Sequence, residues 1–329
     1  MTKYSPVLDV LETQKAIRAL RHRFEENLCD ALNLPRASAP LFVKKGSGLN
    51  DDLNGVERPV SFDILETGED VEVVHSLAKW KRMALGKYGF PVHTGLYTEM
   101  NAIRRDETCD AIHSLYVDQW DWEKVILKED RNVDYLKETV RRIYSAVVAT
   151  GDYIERIYPE LKNYLPREIK FATTYELEER FPDLTPKQRE DEIAKEYGAV
   201  FLMQIGGRLK NGEKHDGRAP DYDDWTLNGD IIVYNKITEK AFEISSMGIR
   251  VDKDALVSQL KAEGKEERLE LPFHKALMND ELPLSIGGGI GQSRLCMLLL
   301  QKAHIGEVHS SVWPQSQIDY CKKIGAVLL

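Results

Sequence analysis

Apolar side chains recur every three or four positions over several stretches of the chain, which is the spacing of an amphipathic helix. The first stretch stops before Pro35 and the longest stops before Pro159, where proline cannot continue a helix. Thr185 and Gln188 flank a proline in the pattern of a capping box, which marks a further helix start. The helices predicted in this way cover residues 7–33, 76–86, 133–158, 185–198 and 252–264.

Short apolar runs between these helices predict strands. They lie close together without regular crossover helices, so a mostly antiparallel sheet flanked by helices fits better than a doubly wound parallel sheet. No linker, low-complexity tract or repeat divides the chain, and we predict an α+β fold with residues 1–329 in a single domain. The predicted strands cover residues 39–43, 71–74, 95–104, 114–121, 199–205, 230–235, 241–246 and 284–286.

Composition narrows the possible functions. The chain has 329 residues, with 45 Lys and Arg against 54 Asp and Glu, a net charge of −9. Nucleic-acid binding needs a basic face, so we expect no nucleic-acid partner, although a few local cations suffice for a small anion. The four cysteines form no CxxC pair, and the start of the chain carries no apolar signal core. We therefore expect a cytoplasmic protein with free thiols and no contact with a membrane.

A glycine run precedes a further predicted helix, in the segment GGGIGQSRLCMLLLQ. Gly287, Gly288, Gly289 and Gly291 lie between a short strand and a helix that carries Arg294. Glycine lets backbone approach a ligand, a helix N-terminus attracts anions, and an arginine there can stack on a base or hold a phosphate. A tight turn followed by a surface arginine explains the same pattern equally well.

Two carboxylates lie on a predicted hairpin. With its turn at residues 237–238, Glu243 faces residue 232 or 233, and in the first case it becomes a diagonal neighbour of Asp230. Two carboxylates beside a triphosphate suit Mg²⁺, which takes few protein oxygens and several from phosphates. If the two residues are considered in isolation, the simpler interpretation is that Asp230 belongs to a turn and that Glu243 is a solvated strand residue.

Other polar residues gain meaning only together. Arg218, in a loop full of acids, is either a phosphate clamp or a solvated side chain. Leu115, Val117, Gln119 and Asp121 share one strand face, which either opens into a polar pocket or reaches solvent.

Taken together, these segments resemble the catalytic core of class II aminoacyl-tRNA synthetases. NLPRASAPLFV resembles the dimer-forming motif 1, GRAPDYDDW a divergent motif 2, GDIIVYN with AFEISSMGIRV the metal-binding hairpin, and GGGIGQSRL motif 3. The match is closer to the ammonia-dependent asparagine synthetases. The segments VVHSLAKWKR, GLYTEMNAIR, HSLYVDQWDWE and LNGDI also resemble segments of that family. The resemblance covers residues 50–300.

The resemblance implies a class II synthetase-like fold, a homodimer built on residues 7–45, and L-aspartate, ATP and ammonia as substrates. It implies two steps: the β-carboxylate of aspartate attacks ATP to give β-aspartyl-adenylate and pyrophosphate, and ammonia then displaces AMP. Catalysis is expected to rest on Asp51, Lys81, Arg218 and Arg294. Aspartate is assigned to Asp51, Ser76, Lys81, Arg104, Gln119, Asp121, Ser245 and Arg250, ATP to Arg218, Asp223, Ser246, Gly289 and Arg294, and Mg²⁺ to Asp230 and Glu243.

Two alternatives to this function stay open. A tRNA synthetase would need an anticodon-binding domain and a basic RNA face, and a non-catalytic amino-acid sensor would usually have lost metal or phosphate ligands.

Asp51 is either the base that takes a proton from ammonium or only a binder. Between Trp225 and Leu227 the family usually has a longer loop, so either this loop is deleted or a mobile lid is missing from the sequence, and we favour the second.

Overall fold

The computed structural model describes residues 4–53 and 57–329. The helices are α1 (Val10–Leu32), α2 (Ala78–Tyr88), α3 (Val133–Ile157), α4 (Thr174–Arg180), α5 (Pro186–Tyr197), α6 (Lys253–Glu263), α7 (Pro272–Met278), α8 (Gln292–Leu299) and α9 (Gln315–Ile324), with 3-10 turns at Glu266–Glu270 and Ile305–Glu307. The strands are β1 (Phe42–Lys44), β2 (Ser61–Asp63), β3 (Asp70–Val73), β4 (Gly95–Ile103), β5 (Tyr116–Val125), β6 (Lys170–Thr173), β7 (Ala199–Met203), β8 (Asp223–Asn235), β9 (Lys240–Arg250) and β10 (Ser285–Gly291).

A seven-stranded sheet in the order β4-β5-β10-β9-β8-β7-β6 forms the centre of the protein. Its neighbouring strands pair antiparallel, apart from the parallel pair β6 and β7. A second, three-stranded sheet has the order β1-β3-β2. The predicted α+β class with a mostly antiparallel sheet is confirmed.

Strand β5 shows how the sheet separates core from cavity. Trp120 and Trp122 are buried in the main hydrophobic core with α1, and the rings of Phe24 and Trp120 lie 4.7 Å apart. Gln119 and Asp121, at the alternate positions, line a cavity instead. Because successive side chains of a strand point to opposite faces, one face packs on helices and the other carries polar groups.

Helix α1 buries its apolar stripe inside its own chain. Leu20, Phe24 and Leu28 have no exposed surface, and α1 packs against α3. Its caps are local: the Asp9 side chain accepts from the Glu12 N–H, and Asn33 closes the helix with φ 59°. Since this stripe is used within the chain, it does not by itself argue for a dimer.

The structure corrects the predicted ends of helix α2 and the predicted conformation of the glycine run. Helix α2 continues two residues past Gly86 and is closed by Gly89, which has φ 69°. Ser76 lies one residue before the N-cap, and its hydroxyl accepts from the Ala78 N–H. The predicted strand at residues 284–286 is too short, because the glycines continue it as β10 in the middle of the main sheet, and the alternative of a tight turn is therefore wrong.

Strand β8 spans Thr226, but its pairing with β9 is irregular there, because Asp223 pairs with Arg250 and the next paired residue, Asn228, pairs with Gly248. Residues 224–227 therefore bulge out of the ladder. Asn54 and Gly55, at the end of the polar loop that carries Asp51, lie outside the described residues. Among the residues described, no helix is both long and apolar enough to cross a membrane.

Candidate active site

A cavity of about 410 Å³ lies over the polar face of the main sheet. It is lined by residues of β5, β9 and β10, by α2, and by the loop at residues 216–222. Asp230 lies behind this lining, bonded to Arg218 and Ser246. The predicted site residues that line the cavity directly are Asp51, Ser76, Lys81, Arg104, Gln119, Asp121, Arg218, Asp223, Glu243, Ser245, Ser246, Arg250, Gly289 and Arg294.

One row of paired residues crosses four strands of the sheet. On β10, Gly289 pairs with Asp121 of β5 on one side and with Ser246 of β9 on the other. Ser246 in turn pairs with Asp230 of β8. Because directly opposed residues share a face, strand register alone aligns residues predicted for aspartate, for ATP and for the metal.

The glycines of β10 leave room for side chains of β5. A Cβ on Gly289 would lie 2.4 Å from Gln119 Oε1 and 2.7 Å from Asp121 Oδ1, and one on Gly287 would lie 1.9 Å from Glu123 Oε2. Carboxylate and amide groups of β5 therefore lie over the glycine strand. The glycines are required because polar groups occupy the space of their side chains.

One end of the cavity, called the Lys81 end (Lys81, Arg104, Gln119, Asp121 and Ser245), holds unpartnered polar atoms. Lys81 is 1% exposed, donates to Gly288 O at 2.8 Å and lies 3.2 Å from Asp121 Oδ1. Burial lowers the pKa of Lys81, and the Asp121 carboxylate opposes that shift. Asp121 Oδ2, Ser245 Oγ and Arg104 Nε are buried and have no hydrogen-bond partner among the described residues.

Arg250 is held by two buried carboxylates. Its Nη2 donates to Glu123 Oε2 at 2.7 Å, and its Nη1 donates to Asp223. Ser285 Oγ also donates to Glu123, at 2.7 Å. Burial would raise the pKa of Glu123, but the Arg250 charge outweighs it and the pKa is lowered. The positive charge of Arg250 is therefore already paired with the carboxylates of Glu123 and Asp223 at this part of the cavity.

The other end, called the Arg218 end (Arg218, Asp230, Glu243, Ser246 and Arg294), consists of paired charges. Arg218 Nη2 donates to Asp230 Oδ1 at 2.5 Å, and Arg218 Nη1 donates to Ser246 Oγ. Ser246 Oγ donates to the same Asp230 oxygen at 2.5 Å. Arg294 Nη1 donates to the Glu243 carbonyl at 3.0 Å and lies 3.4 Å from its Oε2.

The register of the hairpin confirms the first of the two predicted alternatives. Ile232 pairs with Glu243, and Asp230 pairs with Ser246, so Asp230 and Glu243 are diagonal neighbours. A register shift between Ile231 and Ile232 adjusts the ladder at this point. Such an irregularity re-aims side chains beside a site.

The two hairpin carboxylates have opposite pKa shifts. Burial and the nearby Glu243 charge raise the pKa of Asp230 to about 6, although Arg218 opposes them. Burial acts in the same sense on Glu243, but Arg294 and Lys187 outweigh it and lower its pKa. A divalent cation relieves repulsion of this kind and accepts carboxylate oxygens, so the pair fits Mg²⁺. In the described part of the chain, no group of three or more His, Cys, Asp or Glu side chains is suited to a metal, so further ligand oxygens would come from phosphate or water.

Asp51 is buried although its loop is polar. Its Oδ1 accepts from the Leu53 N–H at 3.0 Å, and its Oδ2 has no hydrogen-bond partner in the described chain. The His75 ring nitrogen Nδ1 lies 2.9 Å from the Asp51 carbonyl. Burial raises the pKa of the Asp51 carboxyl, and the Lys79 charge opposes the shift.

Several buried acids of this region were missed by sequence reasoning. Asp118 accepts from Ser293 Oγ at 2.8 Å and from Arg21 at 2.7 Å, Glu123 holds Arg250, and Asp221 is fully buried below the cavity. The strand alternation that singled out Gln119 and Asp121, extended by two residues, leads to Glu123. No comparable pattern marks Asp118 or Asp221, whose partners are distant in sequence.

Solved structures share this fold. Asparaginyl-tRNA synthetase from Pyrococcus horikoshii, complexed with asparaginyl-adenylate, matches with a TM-score of 0.65 at 14% identity, covering 93% of this chain and 70% of that one. Asparaginyl-tRNA synthetase from Entamoeba histolytica matches with a TM-score of 0.63 at 15% identity, covering 91% of this chain and 67% of that one. The fold is thus that of the class II aminoacyl-tRNA synthetases.

Sequence comparisons identify the family. The family model described as aspartate-ammonia ligase matches residues 11–325. An aspartate–ammonia ligase from Clostridium perfringens (strain SM101 / Type A) is 59% identical over 327 residues, covering 99% of this chain and 97% of the relative. One from Clostridium tetani (strain Massachusetts / E88) is 60% identical over 328 residues, covering 99% and 96%. The chain belongs to the aspartate–ammonia ligase family.

Proposed function

We propose that the cavity is where this ligase converts L-aspartate, ammonia and ATP into L-asparagine, AMP and pyrophosphate through a β-aspartyl-adenylate. The observation that carries the proposal is the row of Asp121, Gly289, Ser246 and Asp230 across four strands. It sets an amino-acid site and a phosphate site side by side on one rigid surface. Such a surface brings a carboxylate and a phosphorus atom together in reacting geometry.

The first step joins two anions, so it depends on positive charge. The β-carboxylate of aspartate attacks the α-phosphorus of ATP, and pyrophosphate leaves. Arg218 and Arg294 are the cations for the phosphates, and Lys81 is the cation for the attacking carboxylate. Asp230 and Glu243 would hold Mg²⁺, which when bound neutralises phosphate charge.

Aspartate is oriented by the unpartnered atoms of the Lys81 end. Its α-ammonium group would bind Asp121 Oδ2 with support from Gln119. Its α-carboxylate would bind Arg104, because Nε of that residue has no partner, whereas Arg250 already holds Glu123 and Asp223. Ser76 and Ser245 supply further hydroxyls beside this position.

The second step needs ammonia without its extra proton. Asp51 lines the same cavity and has a buried carboxylate oxygen without a partner. In its ionised form this oxygen accepts a proton from ammonium, and the ammonia then attacks the acyl carbon and releases AMP.

One assay separates this function from its alternatives. Pyrophosphate release is measured with aspartate and ATP, with and without ammonium, and asparagine is quantified. We expect the release of pyrophosphate to depend on aspartate. Asparagine should form only when ammonium is present. A tRNA synthetase would transfer aspartate to tRNA instead of ammonia, and a sensor would bind aspartate without releasing pyrophosphate.

We also propose that residues 1–329 form one domain in the cytoplasm. Segments near the two ends of the chain contact each other: Tyr4 Oη donates to Glu307 Oε1 at 2.9 Å, and Lys302 Nζ donates to Leu8 O at 3.0 Å. The four cysteines are free thiols, which agrees with a reducing compartment. Limited proteolysis tests whether the chain forms one domain. Expression with a fluorescent tag tests whether the protein lies in the cytoplasm.

We further propose a homodimer built on residues 7–45. Its support is a set of exposed apolar side chains in the segment that resembles motif 1: Leu11 is 73% exposed, Leu41 50% and Phe42 41%. Sedimentation equilibrium at micromolar concentration should give the mass of two chains. Leu11→Glu and Phe42→Glu should shift the mass towards one chain, and a monomeric mass for the unaltered protein would refute the proposal.

A further inference from the structure

A buried acid below the cavity collects three donors from three different elements. Asp221 has no exposed surface, and its Oδ2 lies 3.0 Å from Lys79 Nζ of α2, 3.0 Å from Arg268 Nη1 and 3.0 Å from His274 Nε2 of α7. It belongs to the loop at residues 216–222 that also carries Arg218. None of the three donors takes part in the two steps proposed above.

Arg268 connects this acid to the other loop of the site. Its Nη1 donates to Asp221, while its Nη2 donates to Asp52, the neighbour of Asp51. Lys265 Nζ also reaches Asp52, at 3.5 Å. Arg268 is therefore bonded at the same time to the loop of the proposed base and to the loop of the proposed phosphate clamp.

The loop of Asp51 rests on the same support at a second point. The Phe273 N–H donates to Ser47 O at 3.2 Å. A Cβ on Gly48, which has φ 79°, would lie 3.1 Å from His274 Nδ1. Helix α7 thus packs under this loop and, through His274, under Asp221 as well.

We infer that Arg268 is a positioning residue, which holds the loop of Asp51 against the loop of Arg218 by bridging Asp52 and Asp221. The inference rests on the proposed function, because it assigns Arg268 an effect on the ammonia step. A guanidinium group has a planar fork of donors that can serve two carboxylates at fixed angles, which a lysine ammonium cannot do on its flexible stem.

The bridge should affect the two steps differently. Arg218 remains tied to Asp230 and Ser246 without it, so the phosphate side keeps its geometry. Asp51 directly precedes Asp52 in the chain, so losing the Asp52 contact frees the loop that must bring a carboxylate to ammonium. A misplacement of about 1 Å is enough to slow a positioned reaction strongly.

The experiment compares Asp52→Asn and Arg268→Lys with Asp280→Asn. Asp280 makes a surface ion pair with Lys253, and its side chain is 80% exposed; it controls for the loss of a carboxylate. Aspartate-dependent ATP–pyrophosphate exchange reports the first step, and the rate at which ammonium converts preformed adenylate into asparagine reports the second. We expect exchange within about twofold of the unaltered protein and conversion of the adenylate slower by about tenfold for both test variants. The control should change neither.

The double variant Asp52→Asn/Arg268→Lys should be no worse than the more severe single variant, because both substitutions remove the contact between Asp52 and Arg268. Equal loss of both steps, or an unchanged rate of conversion of the adenylate into asparagine, would overturn the positioning role. If Arg268→Lys fails to fold, Asp52→Asn decides alone, since Asp52 is partly exposed. Absence of exchange in the unaltered protein would instead refute the proposed function.

Discussion

The two ends of the cavity differ in how their polar groups are satisfied. At the Lys81 end, buried atoms of Asp121, Ser245 and Arg104 have no hydrogen-bond partner in the described chain. Leaving a buried polar group unpaired costs roughly 1–3 kcal/mol. This end is therefore preorganised, because a substrate that supplies the missing partners finds them already fixed.

At the Arg218 end, opposite charges are paired, although Arg218 Nε is buried without a hydrogen-bond partner among the described residues and lies 3.9 Å from Asp223 Oδ2. Arg218 is held by Asp230, and Arg294 lies against Glu243. If phosphates bind the arginines, the two carboxylates lose their partners and need another cation. Under the proposed function, aspartate would fill a prepared site, whereas ATP and Mg²⁺ together would replace internal ion pairs. Binding of nucleotide and of metal should accordingly be coupled.

The largest expected effect comes from breaking the Arg218 end. Asp230→Asn and Glu243→Gln each remove one of the two carboxylates that fit Mg²⁺, and we expect adenylate formation to fall by about a thousandfold or more. Pyrophosphate release measures the loss, and circular dichroism checks that the fold persists. Near-normal release by either variant would mean that the metal is held elsewhere.

A smaller and selective effect is expected for Asp51→Asn. The adenylate should still form, whereas its conversion to asparagine at neutral pH should fall by about a hundredfold, the contribution of a positioned base. Hydroxylamine, which is largely unprotonated at that pH, should partly restore turnover as the hydroxamate. If both steps slow together and hydroxylamine gives no rescue, Asp51 is a ligand of aspartate and not a base.

The Lys81 end is tested by Asp121→Asn. The variant loses a charged partner for the substrate ammonium group, so kcat/KM for aspartate should fall about thirtyfold, ~2 kcal/mol. The KM for ATP should change little, because the Arg218 end keeps its contacts. Equal changes for both substrates would show that the two ends do not act separately.

The smallest effect concerns stability at acid pH. Burial would raise the pKa of Asp118, but His309 and Arg21 outweigh it and lower the pKa to about 2, below its ordinary 3.8. Such a carboxylate stabilises the fold above about pH 4, and this contribution, about 2 kcal/mol, is lost as pH falls towards 2. Urea unfolding between pH 5 and pH 3 should show a steeper loss for the unaltered protein than for Asp118→Asn. Equal slopes would contradict the assignment.

Asp118 and Asp121 lie three residues apart on β5 and illustrate the same contrast. Asp118 is saturated by Ser293 and Arg21, so its substitution should affect stability. Asp121 keeps one oxygen without a partner, so its substitution should affect substrate binding.

Local signals in the sequence predicted the elements well. The capping box at Thr185 and Gln188 and the start of α3 at Val133 are confirmed, because both depend on neighbouring residues alone. The diagonal placement of Asp230 and Glu243 is confirmed for the same reason, since a short turn fixes hairpin register.

Contacts between distant segments could not be predicted from pattern alone. Asp221 meets Lys79 across 142 positions of sequence, and Arg250 meets Glu123 across 127. The glycine run could not be recognised as a strand, because glycine has a low β-propensity, but here the polar groups of β5 decide its conformation. The roles of the individual site residues remain predictions.

The glycine strand also bears on how the chain folds. Strand β10 pairs with β5 and β9 and thereby joins β4 and β5 to β9, β8, β7 and β6 within the main sheet. Its partner β5 lies more than 150 residues earlier in the chain, and pairing over such a separation is slow because a long loop must close first. With few side chains to drive its own docking, β10 should join after the two halves have formed. The floor of the cavity would then be completed by the last step of folding, so a partly folded chain would have no working site.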